Sequence, residues 1–70
     1  MTQNEAIGIA EGFTENPGKT PEERERILIS AWQMLIDTGL AWSLQGWFGR
    51  IANHLIEEGI CNDKSGDKRS

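Results

Sequence analysis

An all-α fold is predicted by three features of the sequence. Two capping boxes, Thr2-Gln3-Asn4-Glu5 and Thr20-Pro21-Glu22-Glu23, open helices. Apolar residues then recur with a helical period. Gly39 and Gly59 each follow the last apolar turn of a segment, where a left-handed glycine ends a helix. We read a compact three-helix domain, with helices at about 3–13, 21–38 and 47–58 and a short helical turn near 40–45. Residues 1–61 form one domain, and the polar, mixed-charge segment 62–70 is expected to be a disordered tail.

In the first segment Ala6, Ile9, Ala10 and Phe13 fall on one helical face. Gly8 and Gly12 each weaken that helix by about 1 kcal/mol against alanine, so it has to dock to persist. Asn16-Pro17-Gly18 is a turn signal and marks an exposed connection.

The second helix has the strongest start. Thr20 caps it, Pro21 suits its first position, and Glu23 completes the box. Glu22 and Glu23 lie at the positive end of the helix dipole, and Glu22 is spaced to pair with Arg26. Arg26, Ser30, Gln33 and Asp37 form a narrow polar stripe. Ile27, Leu28, Ile29, Ala31, Trp32, Met34, Leu35 and Ile36 cover the rest. An arc that wide needs more than one neighbour. Either the other helices wrap this one, or it is half of a homodimer interface. At its end Leu40 is placed to fold back onto Leu35, the contact of a Schellman motif.

Leu40 to Gln45 suffices for one helical turn, and Gly46 is read as the point where the backbone reverses. The last helix turns Phe48, Ile51, Ala52, Leu55 and Ile56 inward, with Arg50, Asn53, His54, Glu57 and Glu58 outward or sideways. It ends as the second does, so Ile60 is expected on Leu55.

Seventy residues bury only about 60% of the unfolded surface, so good packing or a partner chain must help. The single cysteine, Cys61, excludes an internal disulfide and suits a reducing compartment. There is no apolar run of membrane-spanning length and no secretory leader pattern, so a cytoplasmic protein without membrane association is expected. The net charge of −4, with scattered Lys and Arg, argues against nucleic acid.

No enzyme is expected. His54 and Cys61 alone cannot make a four-ligand zinc site, so neither metal nor cofactor is assigned. They also fail as a catalytic pair, because Gly59 ends the helix between them. Gly46-Trp47-Phe48-Gly49 echoes the GXXG loop of KH domains, but it lacks the basic neighbours and the strands of that fold. Arg50 sits in the first turn of its helix, where the dipole disfavours a cation, and Asp37 is its expected partner across the turn. Three tryptophans are many for this length. Trp32 reads as core. Trp42, Gln45, Trp47 and Arg50 form the candidate protein-binding patch, since tryptophan and arginine dominate interface hot spots. The alternative is that both hinge indoles merely close a thin core.

Leu35-Ile36-Asp37-Thr38-Gly39-Leu40-Ala41-Trp42, then Leu44-Gln45-Gly46, Gly49-Arg50, Ala52 and Leu55-Ile56-Glu57-Glu58-Gly59 resemble a specific group. These are short, uncharacterised accessory proteins of bacteriophages and prophages with an LIDTG-AW-LQG--GR-A--LIE-G core. The match covers about the second half of the chain, and the segment around Pro17-Gly18 departs from it. The resemblance implies an accessory phage protein in the bacterial cytoplasm and no catalytic residues. The expected function is therefore binding and inhibition or modulation of a host protein, such as a defence or transcription component. The alternatives are an oligomeric sponge for a nucleotide signal, with a hinge indole on the base and Arg50 on phosphate, and a small structural subunit of a larger assembly.

Overall fold

A computed structural model describes residues 1–44 and 46–62. The described residues are helical with short connections: α1 (Gln3–Glu11), α2 (Pro21–Thr38), the single turn α3 (Leu40–Ser43) and α4 (Gly46–Glu57). No strand occurs among them. The expected disordered tail falls on residues 63–70, outside the described residues, apart from Asn62.

Local chemistry explains each helix start. Thr2 Oγ1 accepts from Glu5 N at 3.1 Å while Glu5 Oε1 accepts from Thr2 N at 2.9 Å, a complete capping box. At α2, Thr20 Oγ1 accepts from Glu23 N at 3.1 Å. The box is not closed as expected: Glu23 Oε1 reaches one residue further back and accepts from Lys19 N at 2.8 Å. The preceding turn is locked onto the helix it feeds. Asn16 Oδ1 accepts from Gly18 N at 2.9 Å, Asn16 Nδ2 donates to Arg24 O at 3.0 Å, and Arg24 Nε donates to Gly18 O at 2.9 Å.

Three glycines end helices in the left-handed region, Gly12 at φ 89°, Gly39 at φ 83° and Gly59 at φ 79°. Only glycine takes this conformation without a Cβ penalty. Gly12 corrects the expected extent of α1, which stops at Glu11 instead of reaching Phe13. Its N–H bonds to Ile9 O at 3.2 Å and the N–H of Phe13 bonds to Gly8 O at 2.9 Å, a Schellman motif. The apolar partner of that motif would be the side chain at position 8, which is glycine. Phe13 has nothing to fold onto and is 85% exposed, not part of the apolar face. Gly8 is required by packing instead. A Cβ there would sit 1.9 Å from Thr14 Oγ1, where the chain crosses back over the helix.

At Gly39 only half of the expected motif forms. Gly39 N bonds to Ile36 O at 3.1 Å, but Leu40 N turns to Thr38 Oγ1 at 3.4 Å because Leu40 already begins α3. At Gly59 both bonds form, Gly59 N to Ile56 O at 3.1 Å and Ile60 N to Leu55 O at 2.9 Å. The side chain of Ile60 is nonetheless 47% exposed. Cys61 takes the buried position, with its own N–H bonded to Leu55 O at 3.1 Å.

The core is one cluster drawn from all four helices and the segment after α4: Ala6 and Ile9, then Ala31, Trp32, Leu35 and Ile36, then Ala41, Phe48, Ala52 and Cys61. The helix α2 contacts both α1 and α3, and α3 in turn contacts α4. Of its wide apolar arc, Ala31, Trp32, Leu35 and Ile36 are buried, Ile27, Ile29 and Met34 are half-buried, and Leu28 is 38% exposed, so the other helices cover only part of it. In α4 the inward line is narrower than expected. Phe48 and Ala52 are buried and Leu55 and Ile56 half-buried, but Ile51 is 38% exposed.

The Gly59 cap isolates the conformational cost of a left-handed residue, because a Cβ there would meet nothing within 4 Å. Gly59→Ala is expected to destabilise by about 1–2 kcal/mol without any steric component. Urea denaturation checks this, and an unmoved midpoint would contradict the left-handed cap.

Candidate functional site

The hinge between α2 and α4 is built on an aromatic trio. Phe48, 1% exposed, is the largest fully buried side chain. Trp47 stacks on it with ring centroids 4.0 Å apart at 26°. Trp32 of α2 meets Trp47 edge-on at 6.4 Å and 72°, and meets Phe48 at 5.8 Å and 48°. Such offset and T-shaped pairs add about 0.5–1.5 kcal/mol each beyond area burial. Trp32 is therefore core, as the sequence suggests, and the half-buried Trp47 is bound into the same cluster.

Trp42 stands apart. It projects from the single turn α3, is 44% exposed, and lays its six-membered ring over Gly49. A Cβ on Gly49 would be 3.5 Å from Trp42 Cε3 and 3.6 Å from Ala41 O, which is ordinary contact, so the glycine eases this approach without being indispensable to it. Gly46 is the first residue of α4. Gln45, the fourth member of the candidate patch, lies outside the described residues.

Arg50 is exposed on the first turns of α4, with Nη1 positioned 3.5 Å from where a Gly46 Cβ would be. The expected ion pair with Asp37 does not form among the described residues. Asp37 Oδ1 accepts instead from Gln33 Nε2 at 3.0 Å, one turn back on its own helix. Water screens the unfavourable meeting of Arg50 with the helix dipole, because the side chain is exposed. Among the described residues the hinge therefore carries one half-exposed indole, Trp42, and an exposed guanidinium, Arg50, while Trp47 packs with Trp32 and Phe48.

A second polar cluster was not anticipated. Gln33 belongs to the expected polar stripe of α2, but its carboxamide binds the main chain after α4. Gln33 Oε1 accepts from Asn62 N at 2.8 Å, and Gln33 Nε2 donates to Asn62 O at 2.9 Å. Next to it Cys61, 3% exposed, points Sγ at Ile29 O, 3.9 Å away. Burial pushes the Cys61 thiol above its ordinary pKa, and the Asp37 carboxylate adds to the shift. No sequence signal announced this contact, since a glutamine on a polar stripe reads as solvated.

The described residues contain no group of three or more His, Cys, Asp and Glu side chains placed to hold a metal ion. No helix among them is long and apolar enough to cross a membrane. These features define a small all-helical protein with an aromatic hinge. Its chain belongs to the family described as Domain of unknown function (DUF7417), whose profile matches residues 22–68, more than half of the sequence. The matched region takes in α2 from its first turn, α3 and α4, and leaves α1 outside. No curated protein matches the chain, and no solved structure does.

Two outcomes follow from this geometry. Phe48→Ala removes the buried centre of the trio and is expected to cost about 3–5 kcal/mol, enough to unfold a small domain. Trp42→Ala, by contrast, leaves thermal unfolding close to wild type, since its ring lies on the surface. Calorimetry of both variants distinguishes core from surface, and an equal loss would refute the assignment. The second outcome concerns pH. A thiol whose pKa is raised on folding contributes stability that is complete below the unfolded value, about 8.5, and is lost as pH rises through the folded value. Unfolding free energy should therefore fall on the alkaline side of that point, and Cys61→Ala should flatten this dependence.

Proposed function

We propose that this protein is a phage accessory protein that binds a host protein in the bacterial cytoplasm and inhibits or modulates it without catalysis. The observation that carries the reading is Trp42. An indole 44% exposed on the turn α3, lying against Gly49 just before Arg50, is apolar area that the described residues leave partly uncovered. Tryptophan and arginine are the residue types that most often dominate protein interfaces. The turn is closed by Trp42 N on Gly39 O and Leu44 N on Leu40 O, backbone bonds that limit the ordering entropy lost on binding. The phage setting rests on the resemblance of the 35–59 segment, and membership of an uncharacterised family is compatible with it.

Affinity capture from host lysate with the wild-type chain and with Trp42→Ala and Arg50→Ala tests the patch. A hot-spot residue is worth about 2 kcal/mol or more, so recovery of the specific prey should drop roughly thirtyfold for Trp42→Ala. Undiminished recovery with both variants removes the proposed surface. A thermal-shift panel of nucleotides addresses the sponge reading, in which saturating ligand raises the transition temperature.

A further inference from the structure

The segment Ile60–Asn62 crosses from the end of α4 to the face of α2 that carries Ile29, Gln33 and Asp37, residues one turn apart on one side of that helix. Its anchorage is of two kinds. The Cys61 side chain is a plug in the core cluster, 3% exposed beside Ile29 O. Asn62 is held only through its main chain, with both its N–H and its C=O on the carboxamide of Gln33. Asp37 Oδ1 accepts the second bond of Gln33 Nε2 at 3.0 Å and so orients the carboxamide. These bonds lie on exposed atoms, in contrast to the aromatic trio at the other end of α4. Exposed hydrogen bonds with few apolar contacts mark the parts of a fold that open locally without global unfolding.

We propose that Ile60–Asn62 is a latch, held shut by the Gln33 carboxamide on the Asn62 main chain, whose local release withdraws the Cys61 plug and frees the end of α4 from α2. The aromatic trio keeps the start of α4 seated while this happens. The thiol is the natural reporter, because a sulfur within the core reacts only when the latch is open. In the reaction with an aromatic disulfide reagent, the Cys61 thiolate forms a new S–S bond. The aromatic thiolate leaves, and the thiol proton passes to buffer.

The test is the rate of that reaction on the full chain at fixed pH, as a function of urea below the unfolding transition. Gln33→Ala removes both bonds of the clamp, and Asn62→Pro removes one of them by deleting the N–H donor. Gln33→Ala should raise the labelling rate about tenfold or more, the effect expected from losing a pair of hydrogen bonds, and Asn62→Pro should raise it about threefold or more, as for one bond. Asn62→Ala should leave the rate unchanged, because the clamp reads main chain. The wild-type rate should depend only weakly on urea, since local opening exposes little surface. Three results would overturn the latch: no acceleration in Gln33→Ala and Asn62→Pro, equal acceleration in Asn62→Ala, or a urea dependence as steep as that of global unfolding.

Discussion

Trp32, Trp47 and Phe48 meet where α2 passes the start of α4, and the rest of the molecule is arranged around that meeting. The stacked pair Trp47–Phe48 presents two rings to Trp32 from one end of a helix. Aromatic side chains bury more area than any other type, and a chain of this length has few other means of building a core. With Phe48 seated, Ala52 and then Leu55 follow it inward along α4. The turn α3 is closed between Gly39 and Leu44 because those two helices are held this close.

The trio also dictates what is left outside. Trp47 stacks on its neighbour in sequence within the cluster, and Trp42 lies against Gly49 with its ring 44% exposed. Of the two hinge indoles, one is thus structural and the other is surface. Arg50 is exposed, and Asp37 is engaged with Gln33 along its own helix. The Trp42 indole stands on a turn closed by two backbone bonds, Trp42 N to Gly39 O at 3.1 Å and Leu44 N to Leu40 O at 3.0 Å.

The two ends of α4 are held by different physics. At the start, large apolar contacts are insensitive to small changes in water access. At the finish, one small plug and a pair of exposed hydrogen bonds are sensitive to it. Family membership extends across both ends, covering residues 22–68 and therefore the hinge, α4 and the Gln33–Asn62 clamp alike.

The sequence by itself determined the helices. Capping residues, apolar period and stop glycines are local, so α2 was legible to the residue and α3 and α4 nearly so. The hinge was legible as the place where the aromatics gather, and Trp32 as core. Tertiary structure alone decided which member of each apolar set was covered. Phe13 is exposed because position 8 offers it no side chain. Ile60 yields to Cys61, Ile51 stays 38% exposed, and Asp37 turns to Gln33 instead of Arg50. The clamp of Gln33 on Asn62, 29 residues away, was invisible for the same reason. Burial and hydrogen-bond choice across such distances depend on how the rods cross, and periodicity within each rod does not specify the crossing.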